Sequence, residues 1–121
     1  MPSIESYLIL KREALGPHYN GDDIQIAEEA AEILISNGSD PYLLELLGKP
    51  INGGTRREPL IPRIYEGKVK WGGHVTCAAA GVVYDPIIGT PMDEGVFLDT
   101  AFYKPVTFVE QLTYAPRLTQ P

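Results

Sequence analysis

The stretch WGGHVTCAAAGVVYDPIIGTP, residues 71–91, decides the fold of this 121-residue chain, because it has the pattern of a β-hairpin. Two runs of residues that favour strands, 74–79 and 82–84, flank Ala80-Gly81. Two such residues between strand-forming runs are typical of the shortest hairpin loop. The sequence therefore predicts that the two runs pair in an antiparallel register fixed by this turn.

The predicted register places a histidine and an aspartate on one face of the hairpin. Ala79 pairs with Val82, so counting outward sets Thr76 opposite Asp85, and side chains two residues apart share a face. His74 then lies diagonally across from Asp85. Diagonal neighbours are roughly 7 Å apart at the backbone, within reach of an imidazole and a carboxylate. Asp85 could therefore fix the orientation and tautomer of His74.

The chain has a single cysteine, Cys77, and the same register turns it away from His74. It lies among small apolar residues, and a thiol in such a place is typical of the core. Cys77 is therefore predicted to be a packing residue and not a nucleophile served by His74.

Helix signals precede the hairpin. Ser3 is predicted to cap a helix over residues 3–15. A second helix is predicted over 22–36, with Asp22 and Gln25 in a capping-box pattern and Asn37-Gly38 as the stop. Its apolar stripe is Ile26, Ala27, Ala30, Ile33 and Leu34, and the two alanines would let a sheet approach closely.

The remaining segments complete an α+β fold in which N-terminal helices pack on a small antiparallel sheet. Residues 1–121 are predicted to form one domain, which suits the length. The other predicted features are a strand at 42–47, where an apolar run of this length could also be helical, and a long loop at 48–62. They continue with a strand within 63–70, a surface turn formed by Asp85-Pro86 and Gly89-Thr90-Pro91, a short helix near 93–101 and a strand or extended segment around 106–112.

Composition narrows the function classes. Hydrophobic residues make up 44% of the chain and the net charge is -6, which disfavours a nucleic-acid or anionic-membrane surface. No apolar run approaches the ~20 residues of a membrane span, and a lone cysteine fits a reducing compartment, so a cytoplasmic location is expected. No cofactor is indicated. The possible metal ligands His18, Asp22, Asp23, His74 and Asp85 have no recognised spacing, so no metal is predicted.

The order of these features resembles that of papain-like and transglutaminase-like cysteine hydrolases, in which a helix start carries the nucleophile and two strands carry the base and its partner. The likeness is closest to small bacterial papain-fold toxin domains and covers roughly residues 20–91. There, a segment like residues 21–28 carries the catalytic cysteine at the helix start, a segment like 73–75 supplies the histidine, and one like 83–86 supplies the orienting carboxylate. The resemblance implies a papain-like core with site positions Asp23, His74 and Asp85, and with Trp71, Gly73 and Asp22 lining the cleft.

Asp23 stands where the resemblance places the cysteine. A helix N-terminus and an imidazolium lower the pKa of a thiol there, but an aspartate is a feeble nucleophile toward amides, and its charge would repel the developing oxyanion. Asp23 is also predicted to face the buried side of the helix, although complementing the helix dipole would be a simpler role for it. A charged cluster of Asp23, His74 and Asp85 with a protonated histidine is the expected result.

Three functional hypotheses remain open at this level. The first is a catalytically degenerate papain-like domain that binds a protein or peptide partner in the former cleft. The second is a hydrolase or transferase, such as a protease, deamidase or toxin effector, seen with its nucleophile replaced. The third is an unrelated small α+β interaction protein in which His74 and Asp85 form an ordinary polar pair. The sequence gives no indication of the oligomeric state.

Overall fold

A computed structural model describes residues 3–16, 22–103 and 108–112, the last of these as backbone only. These ranges contain helices and an antiparallel sheet, so the predicted α+β class is confirmed. The helices are α1 (Ile4–Ala14), α2 (Asp23–Ser36) and α3 (Glu94–Ala101), and the strands are β1 (Tyr42–Leu47), β2 (His74–Ala79), β3 (Val82–Tyr84), β4 (Met92–Asp93) and β5 (Phe108–Leu112).

The five strands lie in the order β4-β3-β2-β1-β5, and every neighbouring pair is antiparallel. Strand β2 is central, and all six of its residues are buried. Helix α2 packs against β2, α1 packs against α2, and α3 contacts β3 and β4. His74 is therefore the first residue of a strand that is buried along its whole length.

The hairpin register is confirmed. Ala79 pairs with Val82 and Cys77 pairs with Tyr84. Ala80 and Gly81 have φ values of 52° and 81°, the two positive values that a type I′ turn requires. The turn is thus two residues long, and the face assignment that depends on it holds.

The start of α2 lies where the sequence predicts it, but the capping box is wrong. Asp22 occupies the N-cap position without a side-chain capping hydrogen bond, and its ψ of 6° is not the extended value typical of an N-cap. Gln25 Nε2 instead donates to Glu29 Oε2, one turn further along the helix, at 3.3 Å. By contrast, Ser3 caps α1 as predicted and accepts a hydrogen bond from the Ser6 amide.

Two other local predictions are wrong. Residues 63–70 contain a short 3₁₀-helix, Arg63–Tyr65, and no strand, because Glu66 adopts a left-handed conformation with φ 56° and turns the chain. The turn at Asp85-Pro86 is buried and does not lie on the surface. The side chain of Asp85 is held inward by its hydrogen bond with His74, which the register predicts, and by one from the Ile87 amide, which the sequence pattern does not reveal.

The other segments agree with prediction. Strand β1 and helix α3 lie where expected, residues 48–62 form a loop tied down by isolated β-bridges, and the strand predicted around 106–112 is found as β5. Residues 106 and 107 lie outside the described ranges. Within those ranges, none of the helices combines the length and apolar character that crossing a bilayer requires.

Candidate functional site

Three separate elements bring the predicted site residues together. Asp23 is the first residue of α2, His74 is the first residue of β2, and Asp85 follows the last residue of β3. All three are buried: Asp23 is 7% exposed, His74 2% and Asp85 1%. We call these residues the Asp–His–Asp cluster.

Each ring nitrogen of His74 faces a carboxylate. Nε2 lies 2.6 Å from Asp85 Oδ2, and Nδ1 lies 3.4 Å from Asp23 Oδ2. The first distance is that of a strong charge-assisted hydrogen bond, and the second is that of a looser ion pair. The imidazole is therefore held between the helix start on one side and the end of the hairpin on the other.

Backbone amides fix both carboxylates. The Val75 amide donates to Asp23 Oδ2 at 2.7 Å, and the Ile87 amide donates to Asp85 Oδ1 at 3.0 Å. Asp23 thus joins α2 to β2, and Asp85 is held by the turn that follows it. Because each carboxylate has its own backbone donor, its position does not depend on His74 alone.

The cluster favours a protonated histidine. Burial by itself would lower the pKa of His74, but the charge of Asp85 and the hydrogen bonds to Asp23 and Asp85 outweigh it and raise that pKa to about 9. Burial would likewise raise the pKa of Asp85, yet the His74 charge, with hydrogen bonds from His74 and the Ile87 amide, holds it below its usual value. An imidazolium between carboxylates is therefore the state expected at neutral pH.

Aromatic side chains close the cluster from solvent. The Trp71 ring stacks on the His74 ring with centroids 5.0 Å apart and planes at 25°, and Phe102 approaches the imidazole by its edge at 6.3 Å. Trp71 is itself only 2% exposed. Trp71 is thus a buried packing residue whose ring covers the imidazolium, an arrangement that cation–π attraction favours.

The other two expected cleft residues differ in placement. Gly73 is half-buried, and a Cβ atom added there would lie 3.1 Å from Leu47 Cδ2. Asp22 is exposed and lies beside the most exposed member of the cluster, Asp23. Among the described residues, the start of α2 is therefore the side on which the cluster lies nearest to an exposed polar side chain.

The arrangement has the order of a catalytic triad without a nucleophile. In such triads a base contacts the nucleophile through one nitrogen and an orienting group through the other. Here the nucleophile position holds the carboxylate of Asp23. Cys77 cannot substitute, because it is fully buried, alternation along β2 points it away from His74, and burial raises the pKa of its thiol to about 12.

In the described part of the chain, no group of three or more histidine, cysteine or acidic side chains is placed to hold a metal ion. His18, one of the possible ligands in the sequence, lies outside the described residues. The carboxylates of the cluster are occupied by His74 and by backbone amides.

Comparison with known proteins found no matching family model, no matching curated protein and no matching solved structure. Function is therefore inferred from the geometry of the cluster and its surroundings.

Sequence reasoning missed two residues that support the cluster. Arg12 of α1 donates through Nη1 to the carbonyls of Ile87 and Pro86, and so ties the first helix to the turn that holds Asp85. Phe102 packs against His74 from the end of α3. A basic residue near the end of a helix is usually explained by the helix dipole, so the sequence carries no distinctive signal for the Arg12 contact.

Proposed function

We propose that this chain is a catalytically inactive papain-like domain that acts by binding a protein or peptide partner in the former active-site cleft. One observation carries the proposal: a helix-start side chain and a strand-end carboxylate lie on opposite ring nitrogens of the same histidine. This is the order that the resemblance to cysteine hydrolases implies, with Asp23 in place of the thiol. A cytoplasmic location belongs to the same proposal and is supported by the single buried cysteine.

Inactivity follows from the chemistry of the replaced position. A carboxylate attacks amides poorly, and its charge would oppose the oxyanion of an acyl-transfer transition state. The His74 side chain is also fully buried, so a substrate could not contact the base in this conformation. Both features oppose turnover.

The same substitution suits a structural role. Asp23 imitates the negative charge of a thiolate beside an imidazolium, so the ion pair of the proposed ancestral site is kept while its reactivity is removed. The pair joins α2 to the hairpin. A domain that keeps its fold without turnover could still use its surface to bind a partner, and the net charge of -6 favours a protein over a nucleic acid.

Descent from a papain-like enzyme, which the proposal implies, is tested by placing a thiol at position 23. In a Cys77→Ala background, the Asp23→Cys variant should show a thiol pKa far below the ~8.5 of an unperturbed cysteine, because the helix start and His74 favour the thiolate. The pH dependence of thiolate ultraviolet absorbance measures this value without a labelling reagent. Adding His74→Gln should return the pKa toward normal.

A matched control is available at the adjacent position. Asp22→Cys in the same background places a thiol at the exposed N-cap, where it does not face His74, and its pKa should lie much closer to the ordinary value. An unperturbed thiol at both positions would contradict the papain-like geometry and favour the unrelated interaction protein.

The enzyme hypothesis has a specific observation behind it, since the histidine is oriented as a general base would be. Fluorogenic peptides and glutamine-containing peptides distinguish the two proposals. Activity only in Asp23→Cys would indicate a disarmed enzyme, whereas activity in the wild-type protein that His74→Gln abolishes would show that Asp23 does not prevent catalysis.

Partner binding at the former cleft can be measured separately. Peptides selected from a displayed random library against the wild-type protein should lose affinity on Asp22→Lys, because Asp22 is exposed at the mouth of the cluster. Asp40→Lys makes the same charge change at an exposed turn before β1 and should leave binding unchanged. Equal loss in both variants would argue against this location.

A further inference from the structure

We propose that a groove beside the Asp85 turn binds an acidic segment of a partner peptide. The groove has a volume of about 330 Å³ and lies between α1, the turn after β3 and α3. Residues that line it include Arg12, Arg63, Ile64, Ile87, Ile88 and Thr100. Two guanidinium groups thus share a concave surface with aliphatic side chains. This inference concerns a surface outside the cluster and does not depend on papain-like descent.

Arg12 is held in place without using all of its donors. Its Nη1 donates to the carbonyls of Ile87 and Pro86. A guanidinium carries five N–H donors in a fixed planar arrangement, so Nε and Nη2 can still donate to a ligand. The contacts to carbonyls position the group, and among the described residues no carboxylate pairs with it.

Arg63 is held in a similar way from the opposite side. Its Nε donates to the carbonyls of Asp99 and Phe102, both at 3.1 Å, and its guanidinium carbon lies 4.8 Å from the centre of the Tyr103 ring. These contacts fix the plane of the guanidinium. Both Nη atoms keep donors in the bidentate arrangement that matches a carboxylate.

Charge complementarity identifies the occupant. Within the described residues, the ion pairs of the protein involve neither Arg12 nor Arg63, so each guanidinium is bonded to carbonyl oxygens only. A carboxylate of the ligand would give the two guanidinium groups an anionic partner. The isoleucines of the groove would contact an apolar side chain next to that carboxylate, and the volume is at the lower end of the range for ligand pockets, enough for a short segment.

The composition of the chain makes such binding informative. With sixteen acidic and ten basic residues, the protein as a whole repels an acidic peptide. Attraction would then report a local site and not general adsorption.

The experiment is calorimetric titration with a capped peptide of alternating leucine and glutamate, with the leucine and glutamine peptide as its neutral counterpart. We expect saturable binding of the acidic peptide alone. Arg63→Gln should weaken it about tenfold or more, because hydrogen bonds to charged groups are lost. Arg56→Gln removes the same charge from an exposed loop outside the groove and should have no effect.

A second pair of variants keeps both arginines. Thr100→Glu places a carboxylate within the groove and should weaken binding by occupying the guanidinium groups, whereas Thr100→Gln, of the same size, should not. Equal affinity for the two peptides, an unchanged affinity in Arg63→Gln, or binding of inorganic phosphate without binding of the peptide would overturn the proposal. The thiol pKa of Asp23→Cys is measured independently, so failure here leaves the proposed descent untouched.

Discussion

His74 is the residue whose charge state most affects stability. The pKa of an unfolded histidine is about 6.5, while the folded-state pKa of His74 is raised to about 9. The folded protein therefore keeps a proton that the unfolded chain releases between these values. The stabilisation is fully present below about pH 6.5 and is lost as pH rises through about 9, which corresponds to about 3 kcal/mol.

We expect the free energy of unfolding in urea to fall from pH 6.5 to pH 9 in a Cys77→Ala background. That background removes the buried thiol, whose raised pKa would add its own loss of stability in alkali. His74→Gln should flatten the slope, and the imidazole of the parent should titrate near pH 9 by NMR. A flat stability profile in the parent would contradict a protonated cluster.

Asp85 affects the stability of the fold at low pH. Because the pKa of its carboxyl is held below the usual value, its contribution is present above the unfolded value of ~3.9 and is lost as pH falls through the folded-state value. The stabilisation that His74 and Asp85 contribute together is therefore greatest between about pH 4 and pH 6.5.

The neighbouring aspartates at the start of α2 provide a matched comparison. Asp23→Asn removes a buried charge that faces His74 and accepts from the Val75 amide, so we expect a loss of about 1–3 kcal/mol at pH 7. Asp22→Asn alters an exposed side chain without a capping bond and should stay within about 0.5 kcal/mol. Urea unfolding of both variants measures the difference, and equal effects would remove the argument for a special role of Asp23.

At the scale of elements, the β2–β3 turn contains a correctable strain. Ala80 has φ 52°, a left-handed conformation that costs a residue with a Cβ atom about 1 kcal/mol, and its side chain is exposed. Ala80→Asn should raise the free energy of unfolding by about 0.5–1 kcal/mol, because Asn-Gly is the preferred pair for a type I′ turn. Thermal or urea unfolding provides the test.

Gly81, the second residue of the same turn, provides a control for which the opposite change in stability is expected. Gly81 has φ 81°, so Gly81→Ala should destabilise the hairpin. Destabilisation by Ala80→Asn would mean that the turn does not have the observed type.

Helices and strands with a clear hydrophobic periodicity could be predicted from the sequence, whereas details such as helix capping could not. The apolar stripe of α2 and the hairpin around Ala80-Gly81 follow from local periodicity and turn chemistry, and both are confirmed. The prediction of a strand within 63–70 was wrong because Glu66 adopts a left-handed conformation, which is uncommon for a glutamate and cannot be foreseen from the residue type. The capping box failed because Gln25 found Glu29 within its own helix.

At the scale of the whole molecule, α1 is joined to α2 as well as to the turn after β3. The Tyr7 hydroxyl donates to Glu29 Oε1 at 2.5 Å, and Lys11 Nζ lies 3.5 Å from the same oxygen. Burial and the hydrogen bond to Glu29 raise the pKa of Tyr7, and that bond lowers the pKa of Glu29. The Glu29 carboxylate of α2 thus takes part in two contacts with α1.

We expect Tyr7→Phe to lower the free energy of unfolding by about 1 kcal/mol, because it leaves a partly buried acceptor without its strongest donor. Chemical unfolding followed by circular dichroism measures the loss. Tyr103→Phe removes a hydroxyl from an exposed ring and should have little effect. Comparable losses would show that the Tyr7 hydroxyl contributes no more through its bond to Glu29 than an exposed hydroxyl does.

The sequence by itself determined the α+β class, the register of the hairpin, the position of α2 and the face shared by His74 and Asp85, because each depends on neighbours a few residues apart. Only the tertiary structure decided that Trp71 covers the imidazole and that the Asp85 turn is buried. It also brought Arg12 and Arg63 to one groove. The burial of the Asp85 turn and the shared groove depend on packing between segments tens of residues apart, about which local periodicity carries no information. Trp71 is only three residues from His74, but its ring also contacts Tyr65 and Phe102, and a sequence pattern does not show these contacts.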